Sequence, residues 1–198
     1  MISIWLIRHG MTAGNRVSRY IGVTDEPLCK EGKEQLEKLC YPVPARLYVS
    51  PMLRCRETAE ILFPGKEYQM IRELSECDFG EFENKNYQEL AGNLHYQQWI
   101  DSGGAMPFPG GESREGFQNR CLEGFRRVVQ DCMDRKQKTA ALVVHGGTIM
   151  NIMEAEAEEA RTFYEWHLKN GHGYLVEISE QEWMQGIEKV YLKKTYPE

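Results

Sequence analysis

The chain lacks any long uninterrupted apolar stretch. Its N-terminal run, Ile2 to Ile7, stops at Arg8-His9, too short for a membrane helix or the core of a signal peptide. No membrane attachment and a cytoplasmic location are therefore expected. Paired-cysteine motifs are missing too: Cys29, Cys40, Cys55, Cys77, Cys121 and Cys132 form no C-x-x-C, and no Cys/His run has zinc-like spacing. Reduced thiols and no bound metal are expected. Positive charge is in deficit, with 24 Lys+Arg against 30 Asp+Glu and a net charge of -6. That excludes a general nucleic-acid surface, although a local arginine cluster can still attract an anion. Internal repeats, low-complexity tracts and linkers are absent. The 198 residues, 41% of them hydrophobic, suffice for a core and fit one domain, 1–198.

What is present is an alternation of apolar runs and amphipathic stretches. Ile2–Ile7, Arg46–Ser50 and Ala140–Val144 read as strands buried on both faces, with a shorter one at Glu67–Ile71. Helices are predicted over Cys29–Leu39, from Pro51 to Leu62, from Ser113 to about Lys136, from Thr148 through Glu154, and over roughly Glu158–Leu168. Phe117, Cys121, Phe125, Val128 and Cys132 mark one face of the longest. Tyr174–Ile178 and Ile187–Leu192 read as an antiparallel pair. The stretch at about 77–112, rich in Glu, Asn, Gln and Gly, reads as a mostly helical lid insertion. The expected fold is α/β, three layers α/β/α around a mostly parallel sheet.

Two strand ends carry the chemistry. The first delivers Arg8-His9-Gly10, then Thr12 and Asn15; the second delivers His145-Gly146-Gly147. In parallel sheets ligands bind beyond the carboxyl ends of the strands, so both histidines point to one pocket. A neutral imidazole can attack phosphorus and form a phosphohistidine, provided its other nitrogen holds a proton against an acceptor such as a carbonyl near Gly10. Charge on the transferring group needs fixed donors, and guanidinium groups match phosphate oxygens two at a time. Arg8 is adjacent. Arg54 lies where a strand passes into a helix, at an anion-favouring N-terminus; Arg46 and Arg56 are its rivals. His95, His167 and His172 lack strand-end placement and read as surface or lid residues. Glu154, Glu156, Glu158 and Glu159 read as a solvated face.

The segments LIRHGMTAGN (6 to 15), RYIGVTDEPLCKEGKEQ (19 to 35), SPMLRCRETAEIL (50 to 62), ELSECDFGEFEN (73 to 84), PGGESREGFQNR (109 to 120) and VVHGGTIMNIM (143 to 153) resemble, in this order, the histidine phosphatase superfamily and its phosphoglycerate mutase-like, α-ribazole phosphatase-like branch. The resemblance implies His9 as nucleophile, Arg8 and Arg54 as phosphate clamps, and His145 as the second histidine on the transferring group. It places Asn15 over the phosphate with Thr12 supporting it, and Gly22 and Asp25 beside the pocket, where both also read as turn residues. With Gly146, not an acid, after His145, the resemblance implies Glu76 as general acid; position alone does not separate it from Glu73, Asp78, Glu81 and Glu83. Glu112 is expected to organise the pocket or cap the long helix.

The resemblance implies a metal- and cofactor-independent phosphomonoesterase acting on a small phosphorylated metabolite, as a monomer or homodimer. A mutase would need cations for a second anionic group, yet Leu74–Gly111 holds only Lys85, and the second motif reads His-Gly-Gly. Tyr87, Tyr96, Trp99 and Phe108 suggest an apolar or ring-bearing leaving group, as in α-ribazole phosphatases. Phosphoglycerate mutase-type transfer and a non-catalytic phospho-ligand binder are the alternatives. Met11 and Met150 depart from common family residues and bear on substrate preference.

Overall fold

Along the first strand, alternate side chains enter two different cores, which is why it reads as apolar throughout. In the computed structural model, which describes residues 1–197, the strands are β1 (Ile2–Arg8), β2 (Arg46–Val49), β3 (Gln69–Met70), β4 (Thr139–Val144), β5 (Gly173–Ile178) and β6 (Tyr191–Tyr196). The helices are α1 (Ala13–Arg16), α2 (Lys30–Leu36), α3 (Leu53–Leu62), α4 (Leu94–Asp101), α5 (Arg114–Asp134), α6 (Gly146–Glu156) and α7 (Glu180–Met184). Ile2, Ile4 and Leu6 of β1, with Ala140, Leu142 and Val144 of β4, pack against Phe125 and Val128 of α5 and Ile149 and Ile152 of α6. Trp5 and Ile7, with Ala141 and Val143, pack on the other face against Leu36 of α2 and Cys55, Ala59 and Leu62 of α3. Each such fully buried aliphatic contributes about 1.5–3 kcal/mol. The result is the three-layer α/β/α arrangement.

The sheet order is β3-β2-β4-β1-β5-β6. The first four strands run parallel, whereas β5 is antiparallel to β1 and β6 to β5. Arg8 is the register partner of Val144, so the two strand-end histidines leave the sheet side by side. No helix of the described residues is long and apolar enough to cross a membrane.

Four expectations need correction. The stretch 158–168 is no α-helix: it bends into a 3-10 turn, Phe163–Trp166, closed by a Thr162/Glu165 capping box. The last strand lies at Tyr191–Tyr196, not Ile187–Leu192. The lid is mostly irregular, its α-helix confined to α4, and Gly80 (φ +52°) lets its two ends meet, since a Cβ there would sit 2.1 Å from the Pro109 carbonyl. Pro51 precedes α3 rather than opening it, because Met52 is the N-cap.

Candidate active site

His9 continues β1 by one residue, its N–H donating to the Val144 carbonyl at 2.9 Å. Its side chain is buried, and Nδ1–H donates to the Gly10 carbonyl at 2.7 Å. That tautomer leaves the Nε2 lone pair for the cavity His9 lines. Gly10 is held in turn, its N–H donating to Thr58 Oγ1 at 2.9 Å. Burial, then the charges of Arg54 and Arg8, push the imidazole well below its ordinary value of 6.5, so it is neutral near neutral pH.

His145, the N-cap of α6, lies with its ring centroid 5.3 Å from that of His9. Its Nε2 is 2.7 Å from Ser50 Oγ, the hydroxyl at the end of β2. Burial, Arg54 and the His9 and Arg8 groups hold it well below 6.5 as well. Both histidines are nucleophile-competent or acceptor-competent; neither is an imidazolium.

Two guanidinium groups flank this pair. Arg54 is fully buried: its Nη atoms donate to the carbonyls of Ile21, Gly22 and Thr24, while Nε–H has no partner. Arg8 donates through Nη1 to the Leu168 carbonyl and meets His167 Nε2 at 3.1 Å, and its Nε–H is likewise buried and unpaired. Buried unpaired donors carrying formal charge are costly unless an anion meets them. The N-terminus of α3 is not free for that task, because Asp25 Oδ1 accepts the Leu53 N–H at 2.6 Å. Of the four arginines weighed from the sequence only Arg8 lines the cavity; Arg54 and His145, like the rivals Arg46 and Arg56, lie behind its wall, and Arg54 differs from the rivals in that its charge acts on both histidines, whereas Arg46 bonds Gln69 and Asp131.

Glu76 lines the same cavity. Its Oε1 accepts the Cys77 N–H at 3.0 Å and its Oε2 the Gly147 N–H at 3.2 Å. Burial raises its pKa above the usual 4.5, against the pull of those N–H groups and of Arg54 and Arg8. The strand-to-lid segment that carries it is braced by Arg120, which donates to the carbonyls of Glu73, Ser75 and Glu76 and pairs with Glu112. Glu112 also accepts the Asp78 N–H at 2.9 Å, so it organises the acid segment, while Ser113 caps α5.

The other expected residues divide. Asn15 lines the cavity, its Oδ1 accepting from Thr12 N–H and Asn170 Nδ2. Thr12 does not line it: fully buried, it caps α1. Gly22 also stays behind the wall, where its carbonyl accepts from Arg54 and a Cβ would fall 1.8 Å from the Cys77 carbonyl. Of the four lid aromatics, Trp99 and Phe108 face the cavity, stacked 5.0 Å apart. Tyr96 stacks behind Trp99, and Tyr87 is exposed.

The cavity, about 260 Å³, also takes in His167 and residues the sequence did not single out, among them Arg19, Arg114 and Asn151. His167, read as a surface or lid residue, is exposed and also meets Arg8 at the rim, and Asn170 Nδ2 clasps the His9 carbonyl at 3.1 Å. Neither carries a spacing signal, since the C-terminal segment reaches the site only through tertiary packing. Arg19 is paired with Glu89, and Arg114 with Glu154. No group of three or more His, Cys, Asp or Glu able to hold a metal occurs among the described residues.

The same arrangement is matched at the level of whole chains. The model of the histidine phosphatase superfamily (branch 1) matches residues 4–186. Phosphoserine phosphatase 1 of Hydrogenobacter thermophilus is 28% identical over 138 residues, 66% of this chain and 65% of its own length. The adenosylcobalamin/alpha-ribazole phosphatase of Salmonella typhimurium is 27% identical over 181 residues, 86% of each chain. The crystal structure of the alpha-ribazole phosphatase from Shigella flexneri superposes with a TM-score of 0.82 at 21% identity, covering 97% of this chain and 95% of its own, a likeness of fold. With a family match running from β1 past α7, over a site where two strand-end histidines meet two buried arginines, this chain belongs to branch 1 of the histidine phosphatase superfamily and is an enzyme of the phosphatase type.

Proposed function

We propose that the protein is a metal-independent phosphomonoesterase that works through a phosphohistidine on His9. The observation that supports this reading best is His9 itself: its Nδ1 proton is fixed on the Gly10 carbonyl, Arg8 lines the same cavity, and the ring of His145 lies 5.3 Å away. The phosphoryl group of a monoester enters between Arg8, Arg54 and His145, with Asn15 closing over it. Nε2 of His9 attacks phosphorus and the ester P–O bond breaks. Glu76, kept protonated by burial and by the arriving phosphate charge, gives its proton to the leaving alkoxide. In the second half, ionised Glu76 takes a proton from water, whose oxygen attacks the phosphohistidine; inorganic phosphate leaves and His9 is restored.

The substrate is a small phosphorylated metabolite with a ring-bearing leaving group, of the α-ribazole phosphate kind. The stacked Trp99 and Phe108 support this, as does the one lid cation, Lys85, being bound to the Glu81 carbonyl rather than aimed inward. Arg19 and Arg114 at the rim already face carboxylates, which disfavours a mutase holding a second anionic group. The deciding experiment is phosphate release from a panel of phosphomonoesters, run beside interconversion of 3- and 2-phosphoglycerate. Release without isomerisation is the expected result. Isomerisation without release would make the protein a mutase, and binding without either a phospho-ligand sensor.

A further inference from the structure

The turn that leads into β5 brings one more side chain onto the nucleophile loop. Lys169 to His172 is closed by the His172 N–H, which donates to the Lys169 carbonyl at 3.1 Å, with Gly171 at φ +78°, a conformation that favours glycine. Gly173 pairs with Ile7 across the β1–β5 ladder, so this turn lies against the end of β1. Asn170 is thereby held on backbone that is tied down on both sides. Its Nδ2 meets three oxygens: the His9 carbonyl and Asn15 Oδ1, each at 3.1 Å, and the Gly10 carbonyl at 3.4 Å.

Two of those oxygens belong to the backbone and can only accept, which fixes the Asn170 amide with its NH2 toward them. That orientation passes to Asn15. Its Oδ1 takes the Thr12 N–H at 3.2 Å and Asn170 Nδ2 at 3.1 Å, which uses both lone pairs of the oxygen. Asn15 lines the cavity, and its Nδ2 is the end left over. Among the described residues that nitrogen donates to no protein atom, and it is not sealed from solvent. An amide held this way offers N–H groups to phosphate oxygens; turned over, it would offer them a lone pair.

Building on the phosphatase reading, we propose that Asn170 is a positioning residue of the phosphate site: its NH2 ties the His9 peptide to Asn15 Oδ1 and so turns the Asn15 N–H groups toward the phosphoryl group. Asn170 itself touches no reacting atom and acts through Asn15.

The test is a double-mutant cycle on Asn15→Ala and Asn170→Ala, read as the calorimetric affinity for inorganic phosphate and as kcat and KM for phenyl phosphate. Asn15→Ala weakens phosphate binding about tenfold, the scale of one hydrogen bond to a charged group. Asn170→Ala weakens it about fivefold, and the double variant is no weaker than Asn15→Ala within about twofold, because residues acting as one unit do not add. Asn170→Asp, equal in size but an acceptor facing three oxygens, binds phosphate more weakly than Asn170→Ala. Losses that multiply to about fiftyfold in the double variant would overturn the proposal. So would a wild type that binds no phosphate, or an Asn170→Ala protein whose thermal midpoint falls while its phosphate affinity holds, which would leave Asn170 a brace of the turn alone. Should Asn170→Ala not fold, Asn170→Ser, too short to span the three oxygens, carries the same cycle. Phenyl phosphate tests the underlying reading separately: if no ester is hydrolysed, that reading fails while the phosphate affinities still decide the role of Asn170.

Discussion

The carboxylate of Glu76 rests on the backbone of Gly147: Oε2 accepts its N–H at 3.2 Å, and a Cβ at that glycine would come within 2.5 Å of Oε1. The second glycine after His145 is thus a seat for the acid. Gly147→Ala should push the carboxylate aside while the fold survives, because the clash is with the end of a side chain and costs about 1–3 kcal/mol. Turnover of alkyl phosphates should fall about 10²-fold, the scale of one lost acid–base catalyst. Full alkyl-ester activity in a folded Gly147→Ala protein would separate Glu76 from the chemistry.

His9→Ala should reduce turnover by about 10⁴-fold or more, as loss of a nucleophile does. Wild type quenched during turnover of a phosphorus-labelled ester should carry acid-labile, base-stable label on one histidine, and the variant none. Label on His145 instead would reassign the nucleophile.

The proposed mechanism requires neutral His9 and protonated Glu76. His9 is displaced well below 6.5 and Glu76 above 4.5, so the acid limb of kcat/KM should lie below the ordinary histidine range. The alkaline limb should belong to Glu76 and vanish in Glu76→Gln. That variant should slow alkyl esters far more than activated aryl esters, whose leaving groups need no proton. Equal slowing of both classes would point to another acid.

Stability has its own pH signature. Below 6.5 the unfolded chain protonates His9 and His145, while the folded chain, with both values depressed, does not. The unfolded state then binds more protons, so stability falls as pH drops through the window beneath 6.5. Glu76, raised in the folded state, opposes this above 4.5 by binding its proton more tightly when folded. Thermal midpoints measured from pH 7.5 down to 5 should decline, and a His9→Gln, His145→Gln double variant should show a flatter line. Identical slopes would remove the two histidines as its source.

Chelation should leave turnover intact, because guanidinium groups stand where a metal would. Loss of activity in EDTA with recovery on Mg²⁺ would refute this.

Legibility followed the physics that shaped each segment. β1 and β4 were readable because sealed faces on both sides demand apolar residues throughout, and α5 because one face meets the core at helical spacing. β6 is an edge strand, YLKKTY, whose mixed exposure leaves no run to find, so the apolar Ile187 drew the reading four residues early. The stretch after α6 looks helical by charge alone, yet Glu158 and Val190 are joined by backbone hydrogen bonds, Glu158 N–H to Val190 O at 3.0 Å and Val190 N–H to Glu156 O at 2.8 Å. In the site, residues at strand ends announced themselves; the contacts of His167 and Asn170 did not, because they arise from neighbours distant in sequence.

The clasp on His9 sets an order of events. The Gly171 N–H reaches the Arg8 and His9 carbonyls at 3.0 and 3.1 Å, and the Arg8 N–H reaches the His172 carbonyl at 2.9 Å. His9 follows the first strand, yet the turn that fixes its peptide plane begins 161 residues later, at Asn170. A chain made only as far as α6 therefore lacks this clasp, and a single nick between α6 and β5 should loosen the peptide plane of His9 without touching His9, Arg54, Glu76 or His145.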